Sequence, residues 1–283
     1  RTRPNSGRDG PRPAAEAQSA FGDGRTYIER FIRNARHIEV QVLGDKHGSV
    51  IHLGERDCTL QRRHQKVVEE SPAPNLPEQI RQDLRRSGVA FAEALRLDSA
   101  GTVEFIYDAD THEYAFLEFN ARIQVEHPVT EMVTGVDLVA EQLRSAAGEP
   151  LRLTQDDIHV TGHAIEVRIT TEDPARGSSP IPAPSNGGSP RRARVFGSTA
   201  TANPATSSPP YYDSLLAKVV AHGPDRDTAA DRMVAALANL AVAGVPTTAD
   251  FARAALDHPD FRAGIATTDW IASRGLPDYL EKI

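Results

Sequence analysis

Residues 102–127, TVEFIYDADTHEYAFLEFNARIQVEH, place two aromatic-rich alternating runs on either side of a polar turn that carries Asp108, Asp110 and Thr111. Runs of this kind joined by a short turn fold as a β-hairpin, so the chain is expected to build on antiparallel strands. With the turn centred at Thr111, Glu104 and Glu118 lie seven residues away on either side and face each other. Like charges placed directly opposite repel unless they splay into solvent or hold a cation between them. Asn120 falls on the same face as Glu118, and an all-oxygen set of this type suits Mg²⁺, which takes carboxylates together with nucleotide phosphates. A solvated acidic face is the plain alternative.

The alternation continues as LEFNARIQVEH, residues 117–127, with Glu118, Asn120, Arg122, Gln124 and Glu126 at the even positions. Eight strand steps from Glu118 to Glu126 would span roughly 26 Å at about 3.3 Å each, too far for one compact reaction centre. The strand is therefore expected to stop near Asn120, with Arg122 to Glu126 bending into a loop. Glu126 is a candidate general base, because nearby cations would keep its carboxyl ionised. Those cations come from elsewhere in the chain. The run ERDCTLQRRHQKVVEE, residues 55–70, carries Arg56, Arg62, Arg63, His64 and Lys66, and is either a solvated charged edge or part of an anion site. In the second case Lys66 would converge with Arg122 and Arg168, whose guanidinium groups fork onto carboxylate-like oxygens. His37 and His64 are treated as hydrogen-bonding histidines and not as metal ligands, and Cys58 as a small packed side chain.

Outward from this segment the chain alternates strand and helix patterns. Residues 1–20 are rich in Arg, Pro, Gly and Ala and are expected to form a poorly ordered tail with a short helix near its end. A hairpin is expected with strands near 37–43 and 49–54, then a helix from Pro77 through PEQIRQDLRRSGVAFAEALRL, weakened at Gly88. A helix at about 136–147 and a strand HAIEVRIT (163–170) come next. Residues 174–210 are crowded with Pro, Ser, Gly and Thr and look loop-like or disordered. YYDSLLAKVVAHG restores a strand, and DRDTAADRMVAALANLAVAG and TTADFARAALDHPDF form two further helices. The class is α+β.

Composition narrows the function. A formal net charge of -7 argues against a nucleic-acid-binding surface, and the single cysteine excludes an intrachain disulfide or a multi-cysteine metal site, as expected in a reducing cytoplasm. The sequence contains neither a run of about twenty apolar residues for a membrane span nor an apolar signal core. Gly-x-Ser-x-Gly, His-Glu-x-x-His and Walker-type motifs are also missing, which removes the common serine hydrolase, zinc protease and P-loop readings. The chain opens on Arg1, as expected of a processed or fragmentary sequence.

A set of long motifs in order carries a family likeness: RHIEVQVLGD, ERDCTLQRRHQKVVEESPAP, GTVEFIY, FLEFNARIQVEHPVTEMVTGVDLVAEQL, GHAIEVRI with EDP, and PPYYDSLLAKV. From about Phe21 to Trp270, apart from the stretch between EDP and PPYYDS, the chain resembles the biotin carboxylase component of biotin-dependent acyl-CoA carboxylases, an ATP-grasp ligase. The resemblance implies an ATP-grasp half with an antiparallel sheet and flanking helices, followed by the biotin carboxylase C-terminal domain. Its implied layout is a tail at 1–20, a partial ATP-grasp domain at 21–160 and the C-terminal domain at 161–275, with 174–210 irregular. The implied reaction uses ATP and Mg²⁺ or Mn²⁺ to activate bicarbonate as carboxyphosphate, and the CO₂ is captured by biotin on a carrier protein. Such enzymes serve acetyl-CoA carboxylase and fatty acid biosynthesis, among other acceptors.

By matching position, the resemblance implies adenine and ribose contacts at Glu29, Arg30 and Ile32, with His37, Gln61 and His64 nearby. Metal ligands fall at Glu104, Glu118 and Asn120, and the two acids contact the nucleotide as well. The bicarbonate pocket falls at Lys66, Arg122, Gln124 and Val125, the base at Glu126 and the enolate-stabilising group at Arg168. Implied partners are a biotin carboxyl carrier protein or domain, a carboxyltransferase subunit, bicarbonate and a second copy of the chain, with no nucleic acid or membrane. The family's preceding nucleotide-fold domain and its Gly-rich lid with two lysines find no counterpart in residues 1–15, so the chain alone is expected to be impaired. The alternatives are a non-catalytic or dimerisation piece, and another bicarbonate-activating ATP-grasp ligase such as the large subunit of carbamoyl phosphate synthetase. Arg168 in HAIEVR and the PPYYDSLLAKV stretch favour the biotin enzymes.

Overall fold

Alternating strands in this chain pair side by side into one antiparallel sheet. The computed structural model describes residues 13–174, 192–196, 206–207 and 214–281. Residues 1–33 and 34–283 form separate compact units. The first carries a nine-residue helix, α1 (Pro13–Phe21), with no buried residue, where the tail was expected to end in a short helix.

In the second unit the strands are β1 (Ala35–Gly44), β2 (Val50–Arg62) and β3 (Gln65–Ser71). After helix α2 (Glu78–Ala94) follow β4 (Ala100–Asp108) and β5 (Tyr114–Asn120). Helices α3 (His127–Thr134) and α4 (Leu138–Ala146) lead to β6 (His163–Thr170). Beyond it lie β7 (Arg192–Phe196), β8 (Thr206–Ser207), β9 (Leu215–Gly223), α5 (Arg226–Ala238) and β10 (Ala241–Ala243). The short helices α6 (Ala249–Asp257), α7 (Pro259–Arg262) and α8 (Leu276–Leu280) close the unit. Seven strands form one sheet in the order β5-β4-β1-β2-β3-β6-β9, and β10-β7-β8 form a second, smaller one.

Several elements differ from the sequence reading. Charge-rich residues 55–70 are the second half of β2 and all of β3, joined at Arg63 and His64, which both take positive φ (50° and 65°) as a tight hairpin turn requires. Charge on a strand hides its β character when the face it lines is buried. The segment after Glu126, for which the sequence reading names no element, is α3, which begins with Pro128 in its first turn and ends at Gly135 with φ 73°. Asp137 caps α4 by accepting from the Ala140 backbone N–H at 2.8 Å, so this helix starts two residues later than expected. Within 174–210, expected to be irregular throughout, Arg192–Phe196 and Thr206–Ser207 are strands. Residues 192–196 find their partner in β10, too distant in sequence for local pattern to reveal. The other residues of that stretch, Pro174 apart, lie outside the described residues, as do residues 1–12 of the tail. The main sheet also crosses the expected division at 160/161, because β3 pairs with β6.

The two faces of the main sheet have opposite chemistry. Ile38, Val40, Val42, Val103 and Phe105 pack with Leu84 and Ala92 of α2, and Ile165, Val167, Ile169 and Val219 pack with Ala230 and Met233 of α5 and Leu256 of α6. Burying each large aliphatic side chain contributes about 1.5–3 kcal/mol. The intervening strand residues point to the other face, where α3 rests through Val129 and Val133 on Ala164 of β6. That face holds Glu39, Gln41, Arg56, Thr102, Glu104 and Glu166, all buried.

Gly88, which weakens the helical pattern of α2, has a packing reason: a Cβ there would sit 2.9 Å from Cγ1 of Val40. Gly88→Ala gains roughly 1 kcal/mol of helix propensity but overpacks a rigid β-branched neighbour at a cost of about 1–3 kcal/mol. The steric effect wins, so Gly88→Ala lowers the denaturant midpoint. Adding Val40→Ala recovers more stability than the two single changes sum to. A midpoint at or above the parent's for Gly88→Ala alone would defeat this account.

Candidate active site

Strand register builds the site as a row across the polar face. Glu118 on β5 is the partner of Glu104 on β4, Glu104 of Glu39 on β1, and Glu39 of Arg56 on β2. Three acids thus stand side by side, next to a single guanidinium. β5 stops at Asn120, and the chain then turns so that Gln124 and Glu126 come back over the sheet, buried at 6% and 2% exposure. Asn120 bridges the first two acids, donating Nδ2 to Glu104 Oε1 (3.0 Å) and to Glu118 Oε1 (2.9 Å). Gln124 Nε2 donates to the same Glu104 oxygen at 2.7 Å.

Two cations, the half-buried Lys66 and the buried Arg56, hold this row. Lys66 Nζ lies 2.5 Å from Glu39 Oε2, 2.6 Å from Glu126 Oε1 and 3.1 Å from Glu104 Oε1. Arg56, fully buried, spends its guanidinium on Glu39 Oε1 (2.6 Å), Gln41 Oε1 (2.6 Å), Thr130 Oγ1 (2.9 Å), Thr102 Oγ1 (3.2 Å) and Gln124 Oε1 (3.2 Å). Burial alone would raise the Glu39 carboxyl, but Arg56 and Lys66 outweigh it and hold it down to about 2. Glu104 is likewise held near about 2: burial opposes ionisation, and His37, Lys66 and Gln124 overcome it. His37 Nε2 sits 2.8 Å from Glu104 Oε2 without making a hydrogen bond there. Ligand atoms of His37, Glu39 and Glu104 all fall within 4.8 Å of one another.

The second half of the site lies on β3, β6 and β9. Arg168 donates Nε to Glu69 Oε1 at 2.6 Å and Nη2 to Glu126 Oε2 at 3.0 Å. Each oxygen of Glu126 therefore meets a different cation, Lys66 on one side and Arg168 on the other. Lys218 donates to the Val125 carbonyl at 2.6 Å, fixing the loop that presents Glu126. Burial pushes the Cys58 thiol well above its ordinary range, so it stays a protonated, packed group.

Of the residues singled out from sequence, Lys66, Glu104, Glu118, Asn120, Gln124, Glu126, Arg168 and His37 come together here. Arg122 joins at the margin, donating Nη2 to Asn120 Oδ1 at 3.1 Å, and Val125 contributes its carbonyl. Gln61 is the strand partner of Lys66, and His64 lies in the β2–β3 turn. Glu29, Arg30 and Ile32 belong to the first unit, residues 1–33. Glu39, Arg56, Glu69 and Lys218 do not stand out in the sequence. Glu39 is within reach of it, since RHIEVQVLG alternates and puts this acid on the face of His37 and Gln41; Arg56 is lost among the neighbouring charges.

Residues 11–154 match the family described as carbamoyl-phosphate synthase L chain, ATP binding domain, and residues 166–273 the biotin carboxylase C-terminal domain. A biotin carboxylase of Nostoc sp. is 47% identical over 256 residues, 90% of this chain and 57% of the relative. Biotin carboxylase 1 of Bacillus subtilis is 46% identical over 256 residues, again 90% of this chain and 57% of the relative. The chain thus spans somewhat over half the length of these curated relatives. Among solved structures, the biotin carboxylase domain dimer of Hydrogenobacter thermophilus 2-oxoglutarate carboxylase, in complex with MgADP, ADP and bicarbonate, is similar at a TM-score of 0.80 and 44% identity, covering 92% of this chain and 57% of that one. A biotin carboxylase complex from Campylobacter jejuni is similar at 0.80 and 40%, with 92% and 57% covered.

Because Lys66 offsets three buried acids, Lys66→Met leaves them facing one another and destabilises the chain by about 3–5 kcal/mol, as expected when one partner of a buried ion pair is removed. Glu39 and Glu104 have folded values below their ordinary 4.5, so the stability they contribute is present above about 4.5 and is lost as pH falls toward about 2. Denaturant titrations across that range should show the parent losing stability there. A Lys66→Met chain as stable as the parent at neutral pH would show that the acids do not depend on this ammonium.

Proposed function

Since the chain belongs to the biotin carboxylase family of ATP-grasp ligases, we propose that its site activates bicarbonate with ATP and passes the carboxyl group to biotin on a carrier. The observation that carries this reading is the Glu126 carboxylate, gripped between Lys66 and Arg168 beside the Glu104, Glu118 and Asn120 oxygens. A carboxylate fixed at both oxygens by cations is oriented, and each oxygen keeps a lone pair to take a proton from a bound oxyanion. Lys66, Arg122, Gln124 and the Val125 segment are the groups proposed around bicarbonate. Neither hydrogen bond of Arg168 uses Nη1, so this nitrogen is proposed to meet the negative charge that develops on the biotin ureido oxygen.

Glu104 and Glu118 fit a divalent metal, because the two carboxylates stand directly opposite and offer oxygens of the kind Mg²⁺ or Mn²⁺ takes; Asn120, which now fills the gap with its Nδ2 while its oxygen accepts from Arg122, would complete the set by turning its amide over. When bound, such an ion draws charge from nucleotide phosphates. His37, Gln61 and His64 are proposed for the adenine and ribose side. The layout proposed is an ATP-grasp part at 21–160 and a C-terminal part at 161–275. A carrier protein, a second copy of the chain and a carboxyltransferase are the proposed partners, in the cytoplasm. Among the described residues, no helix is long and apolar enough to cross a membrane.

The test is phosphate release from MgATP, measured with and without bicarbonate and free biotin. Glu126→Gln is expected to lower the bicarbonate-dependent rate by about 10²–10⁴-fold, the usual range for a general base. Arg168→Gln should lower the biotin-dependent rate by about 10²–10³-fold, as for loss of one group stabilising developing charge. Both should keep the thermal shift of the parent with MgATP. Phosphate release that ignores bicarbonate would defeat the bicarbonate assignment, and no release together with no thermal shift would favour a non-catalytic module.

A further inference from the structure

Two buried glutamates beside Arg168 have no part in the chemistry above. Glu69 on β3 and Glu166 on β6 are direct partners across the antiparallel pair, and both are 0% exposed. Glu69 Oε2 and both carboxyl oxygens of Glu166 have no hydrogen-bond partner among the described residues. Facing acids repel, and an unpaired buried carboxylate carries a heavy desolvation penalty, so the pair cannot be doubly ionised without more positive charge than surrounds it. Arg168 Nε serves Glu69, while Lys218 is 3.9 Å from Glu166 with its ammonium engaged by the Val125 carbonyl.

We propose that Glu69 and Glu166 hold one proton between them, Glu69 ionised against Arg168 Nε and Glu166 protonated, and that this pair positions the Arg168 guanidinium toward Glu126. Neutral Glu166 beside anionic Glu69 gives Arg168 a single strong acceptor on its Nε side, so the other edge of the fork stays aimed at Glu126. The charged and titratable groups around the pair are Lys66, Cys58, Glu126, Arg168 and Lys218. Helices α5 and α6 pack the opposite, apolar face of β6. Burial and then the facing Glu69 push Glu166 up to about 9, against Lys218 and Arg168; burial also lifts Glu69 to about 7 in spite of Arg168. The positioning role depends on the reading of Arg168 as a functional group, whereas the shared proton does not.

The experiment follows glutamate carboxyl carbons and the Arg168 Nε resonance by NMR against pH in the labelled chain. One buried glutamate should remain protonated at neutral pH and titrate between about 7 and 9, with Arg168 Nε shifting in step. Glu166→Gln should remove the step near about 9 and leave the Arg168 resonance in place, and Glu69→Gln should displace the Arg168 resonance. Stability supplies a second reading. Glu166 has a raised folded value, so its contribution is full below about 4.5 and is lost as pH rises through about 9, and Glu166→Gln should gain in melting midpoint on the parent across that interval. Ordinary acidic titration of every glutamate in the parent, which needs no substitution, would overturn the proposal, as would a step near about 9 that survives Glu166→Gln. These readings stand apart from turnover, so a failed functional assignment would show separately, as missing bicarbonate-dependent phosphate release.

Discussion

The Lys66 ammonium is the contact on which the site depends. Three carboxylates from three parts of the chain, Glu39 on β1, Glu104 on β4 and Glu126 on the loop before α3, meet at one Nζ. Without it, strand pairing would press Glu39 against Glu104 in a buried row, and the loop that carries Glu126 would lose one of its ties to the sheet. Arg56 does the complementary work, tying Glu39 to Gln124 and Thr130 and so linking the sheet to that loop and to α3. These interactions are charge-assisted and short, the type that fixes geometry as well as stabilising it.

Such a network needs a scaffold that can tolerate it. The sheet provides one by dividing its faces: aliphatic residues under α2, α5 and α6 supply the burial that stabilises the fold, and the opposite face is left to polar groups held in register by the same backbone ladder. A buried ion network is a weak source of net stability, since desolvation offsets much of the attraction. Its value here is placement. The acids cannot shift without breaking strand pairing, and the cations cannot leave without stranding the acids. Excess acid remains on both sides of Arg168 and along the Glu118–Glu104 pair, the places proposed for a shared proton and for a metal ion.

Hairpin register was only partly legible: next to the turn Tyr107 pairs with Tyr114, one residue off a count centred on Thr111, and a bulge between Glu104 and Phe105 restores the facing of Glu104 and Glu118. The end of β5 at Asn120 followed from length alone, since a straight strand could not return Glu126 to the site. Strand β3, helix α3 and the functional weight of Glu39, Arg56, Glu69 and Lys218 did not follow. Residues 55–70 carry the charge density of a solvent edge, and only burial on both faces turns that run into strand. Arg192–Phe196 was hidden for a different reason: its partner at 241–243 is distant in the chain.

By itself, the sequence determined the strand and helix periods, the family likeness and the residue types available for chemistry, because these depend on local spacing and side-chain identity. Tertiary structure alone decided which cation meets which acid. Lys66 reaches Glu126 sixty residues on, and Arg168 meets Glu69 ninety-nine residues back. Such pairings are set by the order of strands in the sheet and by the loss of water from its polar face, and neither is written in any one segment.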